Sequence, residues 1–184
     1  MTHQIYLIAP PDVPAARLAP ALAAALAREP AAAVLLPRGL RSERDYRELV
    51  TAVAPAAQAT GAAVLIEGEP GLVRMLKADG LHVTGGPRAI AEATAALKPD
   101  FIVGAGNLKT RHAAMDAGEA GVDYVLFGPL SGHIAAAERE LAGWWAETME
   151  IPGVLSDPQA TREEFDAAGC EFIGLTLEVA ETAQ

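Results

Sequence analysis

A chain of 184 residues supports one domain with a sizeable core and is short for two. Its 51% hydrophobic and 21% charged residues exclude a disordered chain. The formal net charge of −10 argues against a nucleic-acid partner, whose phosphates need clustered Lys and Arg, but leaves room for a small phosphorylated ligand held by backbone N–H groups and one or two local cations.

The chain opens on Met1-Thr2-His3-Gln4, without the basic and apolar regions of a secretory leader, so a cytoplasmic protein is expected. A strand-like stretch, Ile5 to Ala9, ends in Pro10-Pro11 and gives way to a helical pattern over 14–29. A second strand, Ala32 to Leu36, precedes a helix over 41–59 that opens on Ser42, Glu43 and Asp45 and closes at Gly61. The same alternation continues through strands Ala63 to Glu67, Gly80 to Val83, Phe101 to Gly104 and Tyr124 to Phe127, with helices over 70–77, 87–97, 109–120 and 134–148. A seventh strand, Gly153 to Leu155, leads to Asp157-Pro158, the signature of a helix start, and Gly169 stands where that helix, 158–168, would stop. The last strand is Glu171 to Leu175, with a partial helix from Leu177.

Eight strands alternating with helices predict parallel βα units, and about 23 residues per unit suits a short, single-domain (β/α)8 TIM barrel spanning residues 1–184. The competing fold is an open doubly wound sheet, which commonly announces a nucleotide site with a Gly-rich first turn. Here that turn is Ala9-Pro10-Pro11-Asp12. Gly104-Ala105-Gly106 fails as a dinucleotide turn, because Lys109 stands where the third glycine belongs. The longest apolar runs, Ala31 to Leu36 and Ala62 to Ile66, fall far below the ~20 residues that cross a bilayer, so no membrane partner is expected. The lone Cys170 sits in the strand-like run Cys170-Glu171-Phe172-Ile173 and reads as a core residue, and Trp144-Trp145 read as packing of an outer helix or a subunit contact.

Two blocks, Ala78-Asp79-Gly80-Leu81-His82-Val83 and Ala120-Gly121-Val122-Asp123-Tyr124-Val125-Leu126-Phe127-Gly128-Pro129, resemble the thiamine phosphate synthase family, with its A-D-G-V-H-L-G-Q and A-G-A-D-Y-V-G-F-G-P motifs. Leu36 through Asp45 and Asp166-Ala167-Ala168-Gly169-Cys170 extend the resemblance over nearly the whole chain. The family, whose fold the thiazole tautomerases share, implies a barrel with its site at the C-terminal ends of the strands. There a pyrimidine methyl pyrophosphate is joined to a thiazole phosphate with Mg²⁺, giving thiamine phosphate.

The resemblance also shows departures at that rim. The family's R-E-K falls on Pro37, Arg38 and Gly39, its Asn-Asp pair on Glu67 and Gly68, and its glutamine and acidic residues on Thr84-Gly85-Gly86-Pro87. Asn107-Leu108 replace a serine-threonine pair, and Lys109, Arg111 and His112 bring charge to the same loop. Leu130-Ser131-Gly132-His133-Ile134 replaces a Thr-rich loop with a lysine. Leu155-Ser156-Asp157-Pro158 stands where a Gly-Gly turn holds the thiazole phosphate, and Thr176-Leu177-Glu178 adds a further acid.

Candidate substrate-binding residues are therefore Arg38, His82, Asn107, Lys109, Gly128 and Pro129, with Glu67 a weak candidate for a Mg²⁺ carboxylate. Each has a plain alternative: solvated loop charges for Arg38, Glu67 and Lys109, a satisfied core histidine for His82, a strand-ending turn for Gly128-Pro129. The expected partner is a small molecule, phosphorylated in the family, with self-association into a homo-oligomer left open. Two functions follow: a synthase with weakened or lost activity, or a non-catalytic paralogue that binds a small ligand or serves as a regulatory or scaffold barrel.

Overall fold

The computed structural model describes residues 3–180. Eight parallel strands pair in chain order: β1 (Gln4–Ile8), β2 (Ala33–Leu36), β3 (Ala63–Ile66), β4 (Gly80–Val83), β5 (Ile102–Ala105), β6 (Tyr124–Phe127), β7 (Gly153–Ser156) and β8 (Phe172–Thr176). Because β8 also pairs with β1, from Gln4 against Phe172 to Ile8 against Thr176, the sheet closes into a barrel and the open alternative is excluded. The helices are α1 (Ala15–Arg28), α2 (Glu43–Gln58), α3 (Gly71–Leu76), α4 (Pro87–Leu97), α5 (Arg111–Glu119) and α6 (Ala136–Thr148). Strand limits differ from the sequence expectation by at most one residue at either end. Among the described residues no helix is long and apolar enough to cross a membrane.

All four residues of β2 are buried, as in a parallel sheet covered on both faces. Alternating side chains then divide between two cores. Outward-facing Leu7, Val34, Val64 and Val103 pack with helix stripes such as Tyr46, Leu49, Val50 and Val53 of α2, a helix whose Ser42 hydroxyl accepts the Asp45 N–H at 3.1 Å. Inward-facing Tyr6, Ile8, Leu35, Leu65, Leu126 and Val154 fill the barrel. Trp145 is buried beneath α6, its indole donating to the Ile151 carbonyl at 2.8 Å, and Cys170 is a buried thiol whose pKa burial pushes up to about 12.

Two expected helices are missing. The segment over 158–168 contains only a 3₁₀ turn, Arg162–Glu164. Asp157 is the reason: its buried carboxylate accepts from the Ile134 N–H and the Arg139 guanidinium across the barrel rim, so it caps no helix of its own. Residues 177–180 are not helical either, and 181–184 lie outside the described residues. There the Leu177 N–H extends the sheet by donating to the Ile8 carbonyl at 2.8 Å, and Arg17 of α1 donates to the Ala180 carbonyl at 2.7 Å. A groove of about 1050 Å³ beside Leu7, Leu175 and Ala25 borders this stretch of β8 and β1.

Candidate functional site

Closure brings the loops after β2, β3, β4, β5 and β6, with Arg38, Glu67, Asn107, Lys109, Gly128 and Pro129, to one end of the barrel, while His82 lies within β4 itself. Beneath them the interior carries a short polar chain. The hydroxyls of Tyr6 and Tyr124 share a hydrogen bond of 2.7 Å, and the Tyr124 hydroxyl shares another of 2.8 Å with Nδ1 of His82. The Tyr124 and His82 rings stack at 11° with centroids 5.8 Å apart.

Two glycines make room for these rings. A Cβ at Gly104 would lie 1.9 Å from the Tyr124 ring, and a Cβ at Gly106 would lie 2.6 Å from Nε2 of His82. The Gly-Ala-Gly run that fails as a nucleotide turn thus serves packing inside the barrel. His82 is 2% exposed, and its Nε2 has no hydrogen-bond partner among the described residues. Burial pushes its pKa down to about 4, so it is neutral at physiological pH. Burial likewise raises the pKa of Tyr6 and Tyr124, keeping both phenols protonated. The reading of His82 as a satisfied core histidine holds for one nitrogen and fails for the other.

Glu67 and Arg38 do meet, but through the backbone: Oε2 of Glu67 accepts the Arg38 N–H at 2.8 Å. The Glu67 N–H donates to the Tyr46 hydroxyl at 2.8 Å, and burial raises the Glu67 carboxyl above its ordinary pKa. The Arg38 side chain turns back on its own loop, with Nε donating to the Arg41 carbonyl at 3.3 Å. No group of three or more His, Cys, Asp or Glu able to hold a metal forms among the described residues. A single carboxylate already accepting an N–H does not make the octahedral oxygen cage that Mg²⁺ requires, so the residues present do not fit a protein-built magnesium site.

Lys109 and Asn107 belong to the loop after β5. The Lys109 ammonium pairs with Glu138 of α6, where 13% of the Glu138 side chain is exposed. Arg111 lies over the Trp144 ring, 4.7 Å from its centroid, and His112 faces Asp116, so neither joins Lys109 in a cationic cluster. Asn107 has a left-handed backbone, φ 57°, and lines a cavity of about 410 Å³ with Thr84, Gly85, Gly86 and Leu108. At the end of β6, Gly128 has φ 98°, and a Cβ there would lie 2.1 Å from the Ser156 carbonyl oxygen. The Ser156 hydroxyl donates to the Pro129 carbonyl at 2.6 Å, while Leu130 packs onto the barrel interior. Beside it, the Asp157 carboxylate faces Arg139 at 3.1 Å and His133 at 3.2 Å.

A sequence model of the family described as thiamine monophosphate synthase matches residues 5–156, from β1 to the last residue of β7. The chain belongs to this family. A thiamine-phosphate synthase of Rhodospirillum centenum is 35% identical over 156 residues, covering 82% of this chain and 75% of that protein. One of Hyphomonas neptunium is 39% identical over 122 residues, covering 63% of this chain and only 55% of its own length. Among solved structures, thiamine phosphate pyrophosphorylase from Pyrococcus furiosus superimposes with a TM-score of 0.74 at 18% identity, over 94% of this chain and 85% of that one, which supports the fold. The family match stops one residue before Asp157, where the chain also departs from the regular barrel.

Sequence reasoning reached His82 but missed Tyr6, Gly104 and Gly106. The available signal was the alternation in Gln4-Ile5-Tyr6-Leu7-Ile8, which puts Tyr6 on the same face as Ile8.

Proposed function

We propose that this chain is a thiamine phosphate synthase-like barrel in which the family reaction runs slowly or has been lost, with a small-molecule ligand held at the mouth. Support comes from the state of its cations. Departure of pyrophosphate from a carbocation-like pyrimidine needs positive charge at the leaving oxygens. Lys109 is engaged by Glu138, and Arg38 is turned onto its own loop. Were magnesium carried in with the diphosphate, Glu67 would be the carboxylate offered to it from the loop after β3, and the ion would supply positive charge at the leaving oxygens.

The test is turnover. Purified protein with pyrimidine methyl pyrophosphate, thiazole phosphate and Mg²⁺ is expected to form thiamine phosphate far more slowly than the ~10 s⁻¹ of a typical enzyme. A rate near that value sinks the reading.

A second reading, a non-catalytic binding barrel, is favoured by Asp157. Its buried carboxylate lies just past the end of β7, where the resemblance places the thiazole phosphate, and it occupies Arg139, a cation that would otherwise be open to an anion there. Thermal shifts with thiazole phosphate, thiamine phosphate and pyrophosphate separate the two readings: a synthase responds to them, whereas a barrel that has abandoned these ligands responds to none.

A further inference from the structure

Three polar groups in line inside the barrel leave few ways to place their hydrogens. Each phenol carries one hydrogen, and a neutral imidazole carries one on either Nδ1 or Nε2. Tyr6 and Tyr124 share one bond, Tyr124 and His82 the next, and no other hydrogen-bond partner of the Tyr6 hydroxyl is found among the described residues.

If Nδ1 of His82 donates to Tyr124 and Tyr124 donates to Tyr6, the Tyr6 hydrogen is stranded and so is the lone pair of Nε2. If both Tyr6 and His82 donate to Tyr124, the Tyr124 hydrogen is stranded instead. Only the reverse order, Tyr6 donating to Tyr124 and Tyr124 donating to Nδ1, makes both bonds and leaves a single unmet group, the Nε2–H of His82. Buried polar groups without partners are costly, so the arrangement with the fewest of them is favoured.

We propose that Tyr124 is a positioning residue that holds His82 as its Nε2–H tautomer, so that the buried nitrogen facing the Gly106 loop carries the hydrogen. Nε2 has no hydrogen-bond partner among the described residues, and a Cβ at Gly106 would lie 2.6 Å from it, so the ring fills the space that the missing side chain leaves. The inference concerns the same mouth as the proposed function but does not rest on it, since the tautomer is set in the ligand-free protein.

Long-range ¹H–¹⁵N correlation spectra of ¹⁵N-labelled protein at neutral pH read the tautomer directly, with His82→Gln identifying the signals. The expected result is a bare Nδ1 and a protonated Nε2. In Tyr124→Phe the ring is kept but its hydroxyl is lost. Nδ1 then has no partner, each tautomer strands one N–H and one lone pair, and the two ¹⁵N shifts should move toward each other. A protonated Nδ1 in the unmodified protein overturns the proposal. So does a doubly protonated ring. An unchanged His82 spectrum in Tyr124→Phe removes the role given to Tyr124. The measurement on the unmodified protein decides the tautomer even if Tyr124→Phe fails to fold.

Discussion

The Asp123 carboxylate, one residue ahead of β6, accepts the backbone N–H of Val103 on β5 at 2.8 Å. The same device recurs around the barrel: Asp79 ahead of β4 takes the Val64 N–H of β3 at 2.7 Å, and Glu171 ahead of β8 takes the Gly153 N–H of β7 at 2.9 Å. Asp79 and Asp123 both lie in the two blocks that carry the family resemblance, so part of that signature is barrel architecture. Val103 is fully buried, and Asp123→Ala strands its N–H. Loss of about 1–3 kcal/mol in urea denaturation is expected, whereas Asp123→Asn, whose amide oxygen can still accept, should cost less. Equal losses in both variants would assign the effect to the ion pair with Lys98 instead.

His82 makes stability depend on pH in a definite direction. Burial lowers its pKa from 6.5 to about 4, so between those values the unfolded chain binds a proton that the folded chain refuses. Falling pH therefore favours unfolding across that window, and the contribution is constant above it. A shift of this size corresponds to about 3 kcal/mol, fully lost at the acid end. Glu67, raised by burial, acts in the opposite sense, since its ionised form is the disfavoured one in the folded state. The comparison with His82→Gln isolates the histidine: the stability difference between the two proteins should narrow steadily from pH 6.5 to pH 4. A constant difference would mean that the folded protein protonates His82 as readily as the unfolded chain does.

The fold was legible because the alternation of short apolar runs with alanine-rich helical stretches is a local pattern that barrel closure leaves intact. Asp157-Pro158 shows where local reading fails. It has the chemistry of a helix start, but Arg139, eighteen residues earlier, captures the carboxylate, and no helix forms. At the site, the positions of Arg38, Glu67, Lys109 and Gly128 after their strands could be read, but their engagements could not. That Lys109 meets Glu138 and Tyr6 meets Tyr124 is decided by which strands become neighbours across the barrel, and no short-range signal carries that information.

Gly104 separates a packing role from a flexibility role. Its φ is not left-handed, yet an added methyl would meet the Tyr124 ring at 1.9 Å and its hydroxyl at 2.4 Å, inside a core with no room to yield. Gly104→Ala should cost about 3 kcal/mol or more in urea melts, and it should break the Tyr124 bond to His82. Gly71→Ala is the control. That residue opens α3 with nothing within 4 Å of the new methyl, so this variant should be neutral or stabilising by up to about 1 kcal/mol. Comparable losses in both would refute the steric account.

Lys109 offers the clearest test of the proposed loss of anion binding at the rim. Its ammonium is half-exposed and paired to Glu138, whose own side chain is largely covered. Glu138→Gln removes the competing charge while keeping a polar side chain of the same length, so Lys109 is released toward any anion at the loop after β5. A pair of this kind is worth about 1 kcal/mol at most, which converts to roughly a fivefold gain in affinity for inorganic pyrophosphate by titration calorimetry, and the gain should shrink as salt rises. Lys109→Ala combined with Glu138→Gln should abolish it. If Glu138→Gln leaves pyrophosphate binding unchanged while thiamine phosphate still binds, Lys109 lies outside the anion path, and Arg38 becomes the cation to release next by altering the turn that holds it against Arg41.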